Sequence, residues 1–362
     1  CLGHPRASHR EDDVMKTFDW SQLDETQKRD ALARPSQRIT ADVSDTVRQI
    51  MQDVAVRGGE AVTEWCLKLD GAPPRRIPIN NETINAARDQ VAPADTRAIR
   101  MAAENIRIFH QATKPSDTEL VETTKGVRSK LAWRPIKAAG IYVPGGTAPL
   151  FSSLLMQAIP AQIAGVKTRV AVTPPSKNGS VHPAMILAAA EAGLDAIWTI
   201  GGAQAIAALT FGVELEDGAV ARCDKLFGPG NAYVAEAKKQ ACALPSGQAV
   251  DMPAGPSELL VVADSAADPA IAAADLLSQA EHDTDAQVIL VATTKTALNA
   301  ILEEVEEQVA TLPRAEIARA SLAEARAILA RNPDDVIEII NTYGPEHLAL
   351  QTEDAGDLVD RI

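Results

Sequence analysis

The chain has 362 residues, 46% of them hydrophobic and 23% charged, with 49 acidic against 35 basic side chains and a formal charge of −14. This is the composition of a soluble globular protein with material for at least two domains. The acidic balance and the absence of a basic stripe exclude a general nucleic-acid binder, whose affinity rests on clustered Lys and Arg.

No apolar run reaches membrane-spanning length, and no leader pairs a basic start with an apolar core, so no membrane partner is expected and the cytoplasm is the expected compartment. Cys1, Cys66, Cys223 and Cys242 stand far apart with no CxxC. They read as incidental or buried thiols rather than a disulfide framework or a thiolate zinc site.

The opening CLGHPRASHREDDV leads into no periodic pattern, whereas MKTFDW from Met15 reads as an ordinary bacterial start. Residues before Met15, with His4 and His9, read as upstream translated or appended sequence. Residues 1–40 are thus an N-terminal extension with a leading helix. From Asp45 to Thr113 the chain reads as helices. VSDTVRQIMQDVAVRGG spaces Val47, Ile50, Met51, Val54 and Val56 before stopping at Gly58-Gly59, and GEAVTEWCLKLDG continues to Gly71. After the break APPRRIP, NETINAARDQ and PADTRAIRMAAENIRIFHQAT complete an N-terminal helical layer.

Between Trp133 and Gly255 the pattern changes. AAGIYVPGG, TRVAVTPP, DAIWTIGG and AVARCDKLFGPGN read as strands ending in glycine or proline turns, with PLFSSLLMQAIPAQIAG, HPAMILAAAEAG and AQAIAALTFG as helices between them. Such alternation predicts right-handed βαβ units and a parallel sheet, with small ligands bound at the strand C-terminal ends. From Ser257 the alternation resumes: ELLVVA, a helix opening at Asp268-Pro269, QVILVAT, and a long helix from Thr296. DDVIEIINTY then ends at Gly344-Pro345, followed by LALQT.

The fold class expected is α/β: two doubly wound, Rossmann-like parallel-sheet domains plus the helical layer. The expected division puts 41–141 with 257–362 in a first, discontinuous α/β domain, and 142–256 in a second. The text stops inside the helix-like EDAGDLVDRI, so a small C-terminal domain is expected to be missing.

Two constellations carry chemistry. Gln279 and His282, in LLSQAEHD, stand three apart on the helix from Asp268, where side chains project from one face and reach a common point. Asp268 is a fitting N-cap, and Ile271, Ala274, Leu277 and Ala280 keep helical spacing behind that polar face. Two donors are short of the four that a zinc site needs, so a solvated helix face stands as the plainer reading. In GPEHLAL, Pro345 stops the helix and throws Glu346 and His347 out at the start of a strand. A carboxylate beside an imidazole suits acid/base work, since His titrates near neutrality and burial raises Glu. Two surface polar residues after a helix stop fit the same letters. Gly201-Gly202 and Gly228-Pro229-Gly230 are not the GxGxxG fingerprint and pass singly as tight turns, and His110 and His182 read as structural.

Taken together, GIYVPGGTAPL, TIGGAQAIAAL, FGPGNAYVAEAK, VDMPAGPSELLVVAD, LLSQAEHD and GPEHLAL closely resemble the histidinol dehydrogenase family, from about Val43 to the last residue. The resemblance implies a zinc-dependent, NAD-using homodimer that oxidises L-histidinol through the aldehyde to L-histidine. Matched by motif, it makes Tyr142, Gln204 and Asn231 the NAD contacts, so that the second domain binds the dinucleotide. It makes Ser257 a substrate contact, Gln279 and His282 metal ligands that also touch substrate, and Glu346 and His347 the acid/base pair, with His347 also against the substrate. The family's further Asp ligand, and a Glu and His contributed across the dimer, have no counterpart before Ile362, so weak metal binding and slow turnover are expected. Three rivals remain: a same-fold dehydrogenase for another alcohol such as a sulfonated diol, a metal hydrolase, and an inactive binding subunit. The missing HExxH counts against the hydrolase.

Overall fold

The structure is a computed structural model that describes residues 14–34, 41–145, 150–176, 179–245, 247–251 and 257–362. Chain contacts divide it into two units, one built from the described residues within Cys1–Gln37 and Gly255–Ile362, the other from those within Arg38–Ala254.

The first unit opens with β1 (Lys16–Asp19), a short 3-10 turn at Trp20–Gln22 and α1 (Glu25–Ala31). A capping box starts α1: the Asp24 carboxylate accepts from Thr26 N and Gln27 N, and the Gln27 amide oxygen accepts from Asp24 N.

The second unit follows, with α2 (Ala41–Arg57), α3 (Gly59–Leu69), β2 (Arg76–Pro78), α4 (Asn81–Arg88) and α5 (Pro93–Ala112). The hairpin β3 (Val121–Thr124) and β4 (Val127–Ser129) is exposed along its length. Then come β5 (Ala138–Tyr142), α6 (Phe151–Ala164), β6 (Thr168–Thr173), α7 (Pro183–Glu191), β7 (Ala196–Thr199) and α8 (Gly202–Phe211). The hairpin β8 (Val213–Leu215) and β9 (Gly218–Val220), β10 (Lys225–Phe227), α9 (Ala232–Cys242) and β11 (Ala249–Val250) close the unit. Its main sheet runs β11-β10-β5-β6-β7-β2, parallel except for β2. Alternate residues of β5 serve opposite faces: Ala138 and Tyr142 join the core under α2, α3, α8 and α9, whereas Ile141 joins the core under α4 to α7.

The expected helical layer is therefore divided between the two faces of this sheet. That corrects the domain division: 41–141 belongs with 142–254, because the apolar stripes of these helices are buried against this unit's own helices and strands. The run AVARCDKLF, expected as one strand, is split between β9 and β10.

The chain then completes the first unit with β12 (Glu258–Ala263), α10 (Pro269–Ala280), β13 (Gln287–Ala292), α11 (Lys295–Val309), α12 (Ala315–Leu322), β14 (Arg326–Leu329), α13 (Pro333–Tyr343), β15 (His347–Gln351) and α14 (Ala355–Val359). The order is β1-β14-β13-β12-β15, all parallel. Helices α10, α11 and α12 cover one face, and α1, Trp20 and α13 the other. Every residue of β12 and β13 is buried, as fits strands covered on both sides. The segment expected as an extension with a leading helix supplies that helix, α1, and also the edge strand β1, while RAIL, not expected as a strand, is β14 between β1 and β13. No described helix is long and apolar enough to cross a membrane.

Candidate active site

In the second unit the expected dinucleotide contacts gather where strands end. Tyr142 is the last residue of β5, Gln204 lies in the first turn of α8 after β7, and Asn231 follows the Gly228-Pro229-Gly230 turn after β10. The Tyr142 hydroxyl accepts from Gly202 N at 3.2 Å. Asp70, just past α3, ties the same turn down: its Oδ2 accepts from Gly201 N and from Gln204 Nε2, each at 3.0 Å. Burial pushes the Tyr142 hydroxyl up to about 12, so it stays protonated at neutral pH. Gly228 has φ +121, and a Cβ there would meet Tyr142 O at 2.0 Å, so only glycine fits against the end of β5. Asp251 Oδ2 accepts from Gly228 N at 2.7 Å, and Lys238 Nζ donates to Gly228 O at 2.9 Å.

Two observations bear on whether a dinucleotide fits. Gln204 is fully buried, yet its Oε1 has no partner among the described residues. Helix α8 begins at two glycines with no side-chain cap, leaving amide donors at a positive helix end. The first suits a ligand group that donates a hydrogen bond, such as a hydroxyl or an amide; the second suits an anionic group at the amides that Asp70 and Tyr142 leave free. Asn231 is a different case: its Oδ1 accepts from Tyr233 N and Val234 N and caps α9. Its carboxamide nitrogen is the part left to meet a ligand.

In the first unit the expected residues gather at the opposite, N-terminal edge of the strands; the expectation of ligands at strand C-terminal ends concerned the sheet of the second unit. Ser257 and Glu258 sit at the start of β12, and His347 opens β15, paired in register with Leu259. Helix α10 leaves the far end of β12 and runs back, so its last turn returns to this edge before β13 begins at Gln287. The faces agree as well. Leu259 and Ala349 pack under α10, so His347, two residues before Ala349, projects toward the face that α10 covers. Gln279 and His282 therefore share an edge and a face with His347.

The burial of α10 departs from the expected pattern. Ile271 is 57% exposed and Ala274 is exposed, while Ala272, Ala273, Leu276, Leu277 and Ala280 form the core side. Gln279 is only 9% exposed, not solvated, and its Nε2 has no partner among the described residues. His282 lies past the helix end and is exposed; its N donates to Gln279 O at 3.1 Å, and its carbonyl accepts from Arg314 Nη2 at 3.2 Å.

Glu346 and His347 are both held by the backbone of one residue, Glu258. Glu346 Oε2 accepts from Glu258 N at 3.2 Å. His347 Nδ1 lies 3.1 Å from Glu258 O. A carbonyl oxygen can only accept, so Nδ1 carries the proton and Nε2 keeps the lone pair. Glu346 Oε2 stands 3.7 Å from His347 Nδ1, close enough to steady the ring once it is protonated. Glu258 was not singled out in the sequence; the signal available was an acidic residue opening an otherwise apolar strand.

For a metal, the described residues contain no group of three or more His, Cys, Asp or Glu side chains that could hold one. The amide of Gln279 and the imidazole of His282 are two donors where catalytic zinc takes three protein ligands and a water or substrate, so by themselves they do not make a tight site. Among the described thiols, Cys66 and Cys223 are buried, which raises the first and pushes the second up to about 12, and Cys242 is exposed. His182 caps α7 through Nδ1, and His110 stacks edge-on against Phe109, so both are structural as expected.

Comparison with known proteins bears on the same residues. The histidinol dehydrogenase family model matches residues 32–362. The histidinol dehydrogenase of Escherichia coli (strain K12) is 44% identical over 345 residues, covering 95% of this chain and 77% of that protein. That of Xanthomonas euvesicatoria pv. vesicatoria (strain 85-10) is 45% identical over 336 residues, covering 93% and 77%. The crystal structure of histidinol dehydrogenase from Elizabethkingia anophelis superposes with a TM-score of 0.89 at 40% identity, covering 98% of this chain and 79% of that one. A doubly wound pair of units, a carboxylate and imidazole anchored on one backbone residue, and these matches lead to one assignment: the chain belongs to the histidinol dehydrogenase family.

Proposed function

We propose that this chain oxidises L-histidinol to L-histidine in two successive NAD-dependent steps, with His347 as the proton acceptor and Glu346 as the group that activates water. NAD, when bound, accepts the hydride in each oxidation. The observation that carries the reading is the anchoring of Glu346 and His347 on the N–H and C=O of Glu258, which leaves His347 Nε2 as a base. In the first step His347 Nε2 takes the hydroxyl proton as the carbinol carbon gives up hydride. The aldehyde must then add water before a second hydride can leave. The Glu346 carboxylate is suited to take the proton of that water while His347 returns its proton to the carbonyl oxygen, and His347, neutral again, to take the proton of the hydrate as it is oxidised.

The edge on which these residues stand supports a cationic substrate. Parallel strands begin there, so α10 ends there, and its C-terminus carries partial negative charge that favours an ammonium or imidazolium group. Tyr142, Gln204 and the open start of α8 are the proposed dinucleotide contacts, with Ser257 proposed against the substrate. Gln279 and His282 are proposed to supply two donors to a zinc ion that would position the substrate, held weakly by this chain alone. The family resemblance further supports a cytoplasmic homodimer.

The test is NADH formation from L-histidinol and NAD, beside other amino alcohols and a sulfonated diol. L-Histidinol is expected to be preferred and to yield two NADH per substrate. Release of one NADH with the aldehyde as end product, or faster turnover of the diol, would overturn the reading.

A further inference from the structure

One guanidinium gathers the two backbone segments from which the acid/base pair hangs. Arg34 follows α1. Its Nε donates to Glu258 Oε1 at 2.5 Å and its Nη2 to Glu258 Oε2 at 2.7 Å, a two-pronged pair with a carboxylate in a residue only 8% exposed. The same Nη2 donates to Tyr343 O at 2.8 Å and to Gly344 O at 3.1 Å, and the group lies 4.3 Å from the centre of the Tyr343 ring. Arg34 thus grips the residue whose backbone holds Glu346 and His347, and also the end of α13, two residues before Glu346. Its own backbone is fixed in turn: Arg326 Nη2 donates to Ala33 O at 2.7 Å, and Leu32 packs in the core beside Tyr343.

An exposed ion pair contributes little to stability, because each charge is already well solvated. This one differs in geometry. The planar fork fits a carboxylate in one orientation, and the two carbonyls fix its plane, so it specifies position more than it adds energy. Without it, the Glu258 side chain loses its charged partner, and the peptide that holds His347 Nδ1 is left to the strand pairing and to Tyr343.

Resting on the reading of Glu346 and His347 given above, we infer that Arg34 is a positioning residue for the acid/base pair: through the Glu258 side chain and the α13 carbonyls it keeps the His347 Nδ1 proton on Glu258 O and Nε2 free. It touches no substrate. Arg34, in the stretch expected as an extension with a leading helix, thereby supports the acid/base pair of its unit.

The experiment compares the parent chain with Arg34→Ala, Arg34→Lys, Glu258→Gln and the control Arg331→Ala, which removes the bonds that Arg331 makes to Asp19 and Ser21 in the same N-terminal segment. Imidazole nitrogen NMR, assigned with His347→Asn, reads the tautomer; steady-state kinetics with L-histidinol and NAD read kcat and KM. Arg34→Ala is expected to mix the two neutral tautomers of His347 and to lower kcat by about 10²-fold, while KM for NAD stays within about twofold. Arg34→Lys, which keeps the charge without the fork, is expected to recover only part of kcat and to fold if the alanine variant does not. Glu258→Gln is expected to follow Arg34→Ala, and Arg331→Ala to leave both readouts at parent values. A single Nδ1–H tautomer and kcat within about twofold of the parent in Arg34→Ala or Arg34→Lys would overturn the inference. If the parent itself does not oxidise L-histidinol, the functional reading fails and the tautomer comparison decides on Arg34 by itself.

Discussion

The two units have the same construction, a parallel sheet between two helical layers, yet they offer opposite edges to chemistry. In the second unit Tyr142, Gln204 and Asn231 lie where strands end and helices begin. In the first, Ser257, Gln279, His282, Glu346 and His347 lie where helices end and strands begin. A helix start presents free amide donors and partial positive charge, and a helix end presents carbonyls and partial negative charge. The first suits a phosphate, the second an amine or imidazole. On the proposed function, one strand order serves an anionic cofactor at one rim and a cationic substrate at the other. The glycine turns of the second unit bring ligand to backbone, whereas the first unit uses backbone to orient side chains.

Substitutions at each rim can break this division of labour. The largest effect is expected for His347→Ala, which should lower kcat by about 10²- to 10⁴-fold in both oxidations with KM for NAD little changed. A modest loss of kcat would deny His347 its role as base. Glu346→Gln should cost about 10²-fold in oxidation of the aldehyde and less in oxidation of the alcohol, since only the aldehyde needs water activated. Equal losses in separate assays of the two steps would remove the distinction. At the other rim, Asp70→Ala frees the Gly201 amide and the Gln204 carboxamide, and should raise KM for NAD by about tenfold while kcat at saturation holds. If kcat falls instead, the rims are not separable.

A metal measurement sharpens the contrast at the first rim. Zinc titration of the parent and of His282→Ala is expected to show weaker binding in the variant, and equal affinities would deny His282 a place among the metal donors. The smallest effect concerns alkaline stability. The Tyr142 pKa is raised from 10.0 to about 12 by burial, so the folded state retains a proton that the unfolded state loses. Its contribution is constant below pH 10, falls as pH rises from 10 to about 12, and should vanish in Tyr142→Phe, whose denaturant titration is then expected to depend less on pH across that window.

How much of this was legible in the letters differs from place to place. The strands ELLVVA and QVILVAT could be read because strands buried on both faces are apolar throughout, and the helix stop at Gly344-Pro345 because proline and a left-handed glycine permit little else. The site residues were legible through long motifs. Their shared edge was not, since it follows from the direction in which α10 returns, a property of topology. RAIL was missed because four apolar letters between helices fit a helix as well as a strand, and only pairing with β1 and β13 decides. The fate of 41–141 was hidden for a related reason: an apolar stripe says that a helix is covered, not by which sheet. Arg34 and Glu258 are ordinary charged residues until the fold brings them together across the whole intervening unit.

The pairing of β1 with β14 has a consequence for synthesis. As the chain leaves the ribosome, β1 and α1 emerge before the second unit, but the strand that β1 pairs with is encoded after that entire unit and most of the first. The second unit, continuous in sequence, can fold while the leading segment waits, so the first unit closes late and over a long loop, and its assembly rather than that of its neighbour is expected to govern how fast newly made molecules become active.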